Sequence, residues 1–180
     1  MNRQEVLARS VRESVTLTSR YLAGFDDTNV TRQATNLPNH VAWSLGHLAV
    51  TMHRAAERID GRPIPPDQFI AGDPAAPDRG ARGDRARFHT DSVGFGSLPT
   101  DDPSRYPSLA RSVEIFTLAA ERLAAAVRAA NDADLDVTTP WGQGETPKWA
   151  LVMRMVFHNG DHAGQIADLR RALGFRSIFG

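Results

Sequence analysis

No cysteine occurs among the 180 residues. Disulfides, thiolate-held metals and a cysteine nucleophile are therefore excluded, and His, Asp and Glu are the metal ligands left. Lysine is almost absent as well, Lys148 being the only one, so the basic side of the chain is nearly all arginine. Neither sign of charge is in excess, with Lys+Arg 21 against Asp+Glu 21. That balance gives no electrostatic case for nucleic acid or for an anionic membrane surface. No apolar run approaches the roughly 20 residues that span a bilayer. The start, Met1-Asn2-Arg3-Gln4-Glu5, has no apolar signal core behind it, so the expected location is the cytoplasm. What is present, 41% hydrophobic and 23% charged residues, suits one ordinary globular domain over residues 1–180.

Four stretches carry the helical period. Leu7, Val11, Val15, Leu22 and Phe25 share one face of a first helix expected from about Asn2 to Ala23. A second is expected to open near Pro38, tolerated in a first turn, and to end at Asp60-Gly61. Its stripe is Val41, Leu45, Leu48, Met52, Ala55 and Ile59, with His40, Trp43 and His47 on an adjacent face. A third, starting at Asp102-Pro103 or just after Pro107, repeats Leu109, Val113, Phe116, Ala120, Leu123 and Val127. Residues 134–147 read as a turn or small hairpin, and Thr146-Pro147 then serves as cap and first position of a fourth helix that Gly174 ends. Between the second and third helices, residues 60–101 are rich in Gly, Pro, Asp and Arg and keep no period. They are expected to form an irregular but ordered crossover with a mobile Arg-rich middle, pinned by Phe69, Ile70, Phe88, Val93 and Phe95. The pattern is that of an all-α four-helix bundle with one long crossover loop.

The chemistry concentrates in the fourth helix. Leu151, Met155, His158, His162, Ile166, Leu169 and Leu173 fall on one stripe, so two histidines four apart face a core. An unpaired buried polar group costs roughly 1–3 kcal/mol, so these imidazoles need a partner. Residues four apart on a helix can point both rings at one ion. His47 is then the best third ligand, and three neutral imidazoles leave an open position. The alternative is a set of core histidines bonded to one another or to carbonyls. Asn159 stands where a zinc-protease helix has Glu, which argues against a protease.

The other polar candidates carry less. His53 reads as a surface partner of Glu57, His40 as a solvated cap and His89 as an exposed loop residue. Gln165 could orient a water or substrate, or simply bond to a neighbouring helix. Asp161 could accept a hydrogen bond from an imidazole N–H, or be an ordinary surface carboxylate. Trp43, Trp141 and Trp149 read as core or pocket wall. Gly46, Gly160 and Gly164, costly inside helices, suggest close approach beside the histidines.

Trp43-Ser44-Leu45-Gly46-His47-Leu48, together with Phe157-His158-Asn159-Gly160-Asp161-His162-Ala163-Gly164-Gln165-Ile166 and Leu169-Arg170-Arg171-Ala172-Leu173-Gly174, resembles the DinB-like (YfiT-like) metalloenzyme family. The resemblance runs through the whole chain in helix order and is most specific in the fourth helix. It implies that His47, His158 and His162 hold one divalent ion, commonly nickel or zinc. It also implies thiol chemistry, since characterised members include thiol S-transferases and a mycothiol-dependent maleylpyruvate isomerase, and it implies a homodimer. With no cysteine in the chain, the thiol would be a low-molecular-weight cosubstrate acting on a small electrophilic molecule. Two further readings compete: a metal-dependent hydrolase, and a non-catalytic stress-response binding module whose histidine cluster is structural. The long 60–101 connection departs from the compact family core.

Overall fold

Asn2 starts the first helix by accepting the Glu5 backbone N–H at 2.9 Å. The computed structural model describes residues 1–73 and 82–178. Helix α1 runs Arg3–Arg20, and residues 21–24 form turns ending at Gly24 (φ +87°), so the helix is slightly shorter than its apolar pattern. Helix α2 spans Val41–Asp60. It begins after Pro38 because His40 is the cap, its Nδ1 accepting the Trp43 N–H at 3.1 Å. Gly61, at φ +70°, closes α2 with a left-handed residue that only glycine adopts freely.

The crossover holds more regular structure than its composition suggests. Strand β1 (Phe69–Ile70) pairs in parallel with β2 (Phe88–His89), placing Phe69 opposite Phe88, and a one-turn helix α3 (Thr90–Val93) follows. Phe69, Phe88 and Val93 are buried as anchors, whereas Phe95 is 95% exposed and anchors nothing. Part of the Arg-rich middle, residues 74–81, lies outside the described residues.

Asp102-Pro103 opens only a 3₁₀ turn, Pro103–Arg105. Helix α4 begins later, at Leu109, because Ser108 Oγ accepts the Arg111 N–H and serves as the cap; it runs to Ala129. Asn131 caps a short α5 (Asp132–Asp136). The hairpin of β3 (Thr138–Trp141) and β4 (Gly144–Pro147) turns at Gly142, φ +63°. Thr146 is paired to Thr139 in that ladder, so it does not cap the last helix, α6 (Lys148–Ala172), whose start has no side-chain cap.

Helices α1, α2, α4 and α6 form the core bundle. Helix α4 and helix α6 each pack against both α1 and α2, which puts α1 and α2 on one diagonal. Helix α2 is the central member, with every residue from Val41 to Val50 buried. The rotation of α6 is held from the α1 side: buried Asn159 donates to Ser14 Oγ at 2.9 Å, and Thr18 Oγ1 donates to the Asn159 carbonyl at 3.3 Å. That seam turns the neighbouring His158 toward α2.

Candidate metal centre

Three imidazoles meet where α2 passes α6. One ring nitrogen from each of His47, His158 and His162 lies within 4.8 Å of the other two, a grouping that could hold a metal ion. His47 Nε2 and His158 Nε2 are 3.2 Å apart. His47 and His162 are buried, and His158 is half-buried.

The crossover fixes the His47 ring. Its Nδ1 is 2.8 Å from the Val93 carbonyl, which can only accept, so the proton sits on Nδ1 and Nε2 offers a lone pair. Trp43 stacks on the same ring, centroids 4.6 Å apart and planes 10° apart. The indole is held in turn by its N–H donating to Ser97 Oγ at 2.9 Å, while Ser97 Oγ bonds the Ser92 and Gly94 carbonyls. The chain of contacts runs from residues 92–97 through Trp43 to His47. This is the outer support that metal-ligating histidines need to keep one tautomer and one orientation.

Burial keeps the cluster neutral, as ligands must be. It pushes His47 down to about 4, against the Val93 hydrogen bond, with nearby His158 and Arg54 adding to the depression. Burial, then His158 and His47, push His162 down to about 3, against a side-chain hydrogen bond with Gln165. His158 is lowered by burial, partly offset by Asp161. His162 Nδ1 is buried without a hydrogen-bond partner. Two imidazoles whose Nε2 atoms meet at 3.2 Å, beside a third with a buried unpartnered Nδ1, form a donor set that fits a cation, which would take up nitrogens the protein itself leaves to one another or to nothing.

A cavity of about 690 Å³ opens beside the cluster, its wall including His47, Thr51, Met155, Phe157, His158 and Asp161. Pro140, Trp141 and Gly142 of the hairpin, with exposed Phe95, complete its apolar side, and Arg54, Arg58 and Arg154 line it too. Its size is that of a small-molecule site.

The remaining sequence candidates fall elsewhere. His53 is fully buried, not a surface partner of Glu57: its ring meets Gln68 Oε1 at 2.8 Å and Arg122 Nη1 at 3.3 Å. His40 caps α2 but is buried, not solvated, because residues 100–106 cover it, its Nε2 meeting the Thr100 carbonyl at 2.8 Å. His89 is half-buried and caps α3. Gln165, by contrast, stays beside the cluster: it accepts from Asn39 at 2.9 Å, reaches Asp161 at 3.5 Å and bonds to the His162 ring. Trp149 is 40% exposed and stands apart from the cavity lining. Gly46 does answer a close approach, since a Cβ there would lie 2.7 Å from the Phe88 ring. Gly160 and Gly164 do not, for both face open space.

The three arginines, Thr51 and Trp141 are site residues that the histidine pattern alone does not reveal. Thr51, Arg54 and Arg58 follow His47 at steps of four, three and four, which is one face of a helix. That continuation is the signal that locates them once His47 is taken as a ligand.

Residues 11–166 match the profile of the DinB superfamily. The chain belongs to that superfamily. Its fold is similar to the crystal structure of a conserved protein from Enterococcus faecalis, with a TM-score of 0.69 at 11% identity, covering 96% of this chain and 97% of that one. No curated protein sequence matches it. Among the described residues no helix is long and apolar enough to cross a membrane.

Proposed function

We propose that His47, His158 and His162 are the three ligands of one divalent ion, zinc or nickel, in a metal-dependent enzyme. The observation that carries this reading is the convergence of three neutral imidazoles from two helices, two of which, His47 and His158, line a cavity of about 690 Å³. When bound, such an ion supplies Lewis acidity that lowers the pKa of a coordinated thiol or water. Of the two, thiol chemistry fits the family resemblance better: transfer of a low-molecular-weight thiol to a small electrophile, or thiol-assisted isomerisation. The chain's own part is to hold His47 in one tautomer through Val93 and Trp43, and to enclose the electrophile between Trp141, Phe157 and α2. In this reading the whole chain acts as one domain, in a cytoplasmic homodimer, with neither nucleic acid nor membrane as partner.

Elemental analysis of protein purified without a histidine tag tests the metal. About one ion per chain is expected; less than about 0.2, unchanged by added nickel or zinc, counts against the site. Thiol disappearance with a panel of electrophiles tests the reaction, comparing wild type with His158→Ala. Equal rates in the two proteins would refute the transferase, and ester cleavage by wild type alone would move the assignment to hydrolysis.

A further inference from the structure

Arginine is this protein's cation, and most of its guanidinium groups are occupied. Arg3, Arg9, Arg12, Arg62, Arg85, Arg87, Arg111, Arg122, Arg128 and Arg171 all pair with carboxylates. Arg170 donates to the backbone carbonyls of Tyr21, Ala23 and Arg176. Among the described residues the side chains of Arg54, Arg58 and Arg154 form no ion pair and no hydrogen bond; Arg20, Arg32 and Arg176 are equally unpaired, but of these six only the first three line the cavity beside the histidines. Glu57 and Asp161 line the same cavity, yet neither neutralises a guanidinium there: Asp161 is engaged by Gln165, and Glu57 pairs with nothing described. Three charges against two leave the cavity wall net positive.

The placement is directional. At 1.5 Å per residue, Arg54 and Arg58 lie about 10 and 16 Å along α2 from His47, and Arg154 about 6 Å along α6 from His158. The cavity between is walled by Thr51, Met155, Trp141 and Phe157. Outward from the cluster along each helix, the imidazole therefore comes first and the unpaired guanidiniums follow, with apolar side chains in the same wall and Arg54 near enough to act electrostatically on His47. A charged group at the arginine end would find planar donors already free of competing carboxylates, the arrangement that recognises an oxyanion.

We propose that Arg54, Arg58 and Arg154 form an anion-binding subsite, and that the substrate is a small amphipathic molecule with an apolar body and a terminal carboxylate or phosphate. The inference deepens the metal-enzyme reading and rests on it for the reactive end, while the anionic end rests on the arginines alone.

Three probes of one shape separate the possibilities: 4-phenylbutyrate, its carboxamide, and 3-phenylpropylphosphonate, titrated calorimetrically at low salt. At least one anion binds about tenfold or more tighter than the carboxamide, and which anion does so distinguishes carboxylate from phosphate substrates. Arg154→Gln and the double variant Arg54→Gln/Arg58→Gln each abolish most of that preference, with carboxamide affinity and circular dichroism unchanged. Raising the salt concentration also narrows the gap. Equal affinity for anion and carboxamide, binding of neither anion to wild type, or an unaltered preference in both variants would overturn the proposal. Metal content measured on the same preparations keeps the two readings apart. Anion preference without metal refutes the metal centre alone, and one ion per chain without anion preference refutes the subsite alone.

Discussion

Helix α2 carries two buried histidines six residues apart, and the protein treats them in opposite ways. His53 has both ring nitrogens answered, by Gln68 Oε1 at 2.8 Å and by Arg122 at 3.3 Å. Arg122 is itself committed to Asp60 and to the carbonyls of Arg62 and Pro63. The cluster is closed: it ties α2, α4 and the start of the crossover together and has no valence left over. His47 has one nitrogen answered by the Val93 carbonyl, while the other meets only a second imidazole, His158 at 3.2 Å, and His162 brings a buried Nδ1 with no partner. Burial is the same in kind at both places. What separates a structural histidine from a candidate ligand is the kind of partner: His53 meets an amide and a guanidinium, whereas His47 meets another imidazole within a group that includes an unanswered buried nitrogen, which is costly unless something else binds it.

The sharpest way to break this contrast is to delete one ring from each cluster. His162→Ala should drop bound metal from about one ion per chain to below about 0.2, while the metal-free chain loses no more than about 1 kcal/mol. His53→Ala should do the reverse, keeping its metal and losing about 2–4 kcal/mol, because Arg122 and Gln68 are left with an unfilled buried site. Elemental analysis and urea unfolding of the two variants measure both quantities. If His53→Ala lost its metal while still folded, or His162→Ala kept it, the division into closed and open clusters would be wrong.

Acid tests the closed cluster separately. Burial pushes His53 down to about 4, opposed by the Gln68 hydrogen bond and aided by the Arg122 charge. The unfolded chain has an ordinary histidine pKa near ~6.5. Between those values the unfolded state binds the proton first, so the stability contributed by neutral His53 is full above about pH 6.5 and is lost as the pH falls toward 4. The loss amounts to about 3 kcal/mol for a shift of this size. Metal-free wild type unfolded in urea from pH 7 to pH 4.5 should show it, and His53→Gln, which cannot titrate, should show a shallower fall. Parallel curves would mean that His53 does not carry the dependence.

A smaller effect is expected where the crossover supports the open cluster. Ser97→Ala removes the acceptor of the Trp43 indole N–H and the link to the Ser92 and Gly94 carbonyls. The cost in stability should be about 1–2 kcal/mol. Because Trp43 stacks on His47, metal affinity should also weaken, by about tenfold, as it does when the supports of other metal-ligating histidines are removed. Competition with a chromogenic chelator reads this directly. Unchanged affinity would make the Trp43 stack mere packing.

These contrasts also mark what the sequence discloses. The bundle is legible because each long helix has an apolar stripe of the right period, and the His158–His162 spacing is legible because four residues make one turn. The sequence points His53 at Glu57, one helical turn away, whereas its partners, Gln68 and Arg122, come from 15 and 69 residues away. The buried state of His40 was hidden for the same reason, its cover arriving from Thr100 and Tyr106. The parallel pair of β1 and β2 is two residues long, too short to show any alternation. Periodicity reports a residue's face but not which distant segment will lie on it, and the crossover supplies most of those segments.

The three helix glycines give the finest version of that lesson, since the sequence suggests one explanation for all of them. At Gly46 a Cβ would sit 2.7 Å from two atoms of the buried Phe88 ring and 2.8 Å from Val93 Cγ1. Phe88 cannot yield without disturbing its stack with Phe69, and Val93 cannot yield without moving the carbonyl that holds His47. Gly46→Ala should therefore destabilise by about 1–3 kcal/mol despite alanine's better helix propensity. At Gly160 nothing lies within 4 Å of the added methyl. There the propensity term acts alone, and Gly160→Ala should stabilise by about 0.5–1 kcal/mol, a small but resolvable upward shift in the urea midpoint. A stabilised Gly46→Ala would show that the crossover packs more loosely on α2 than these contacts require. A destabilised Gly160→Ala would instead show that the exposed face of α6 is covered in solution, as the homodimer proposal allows.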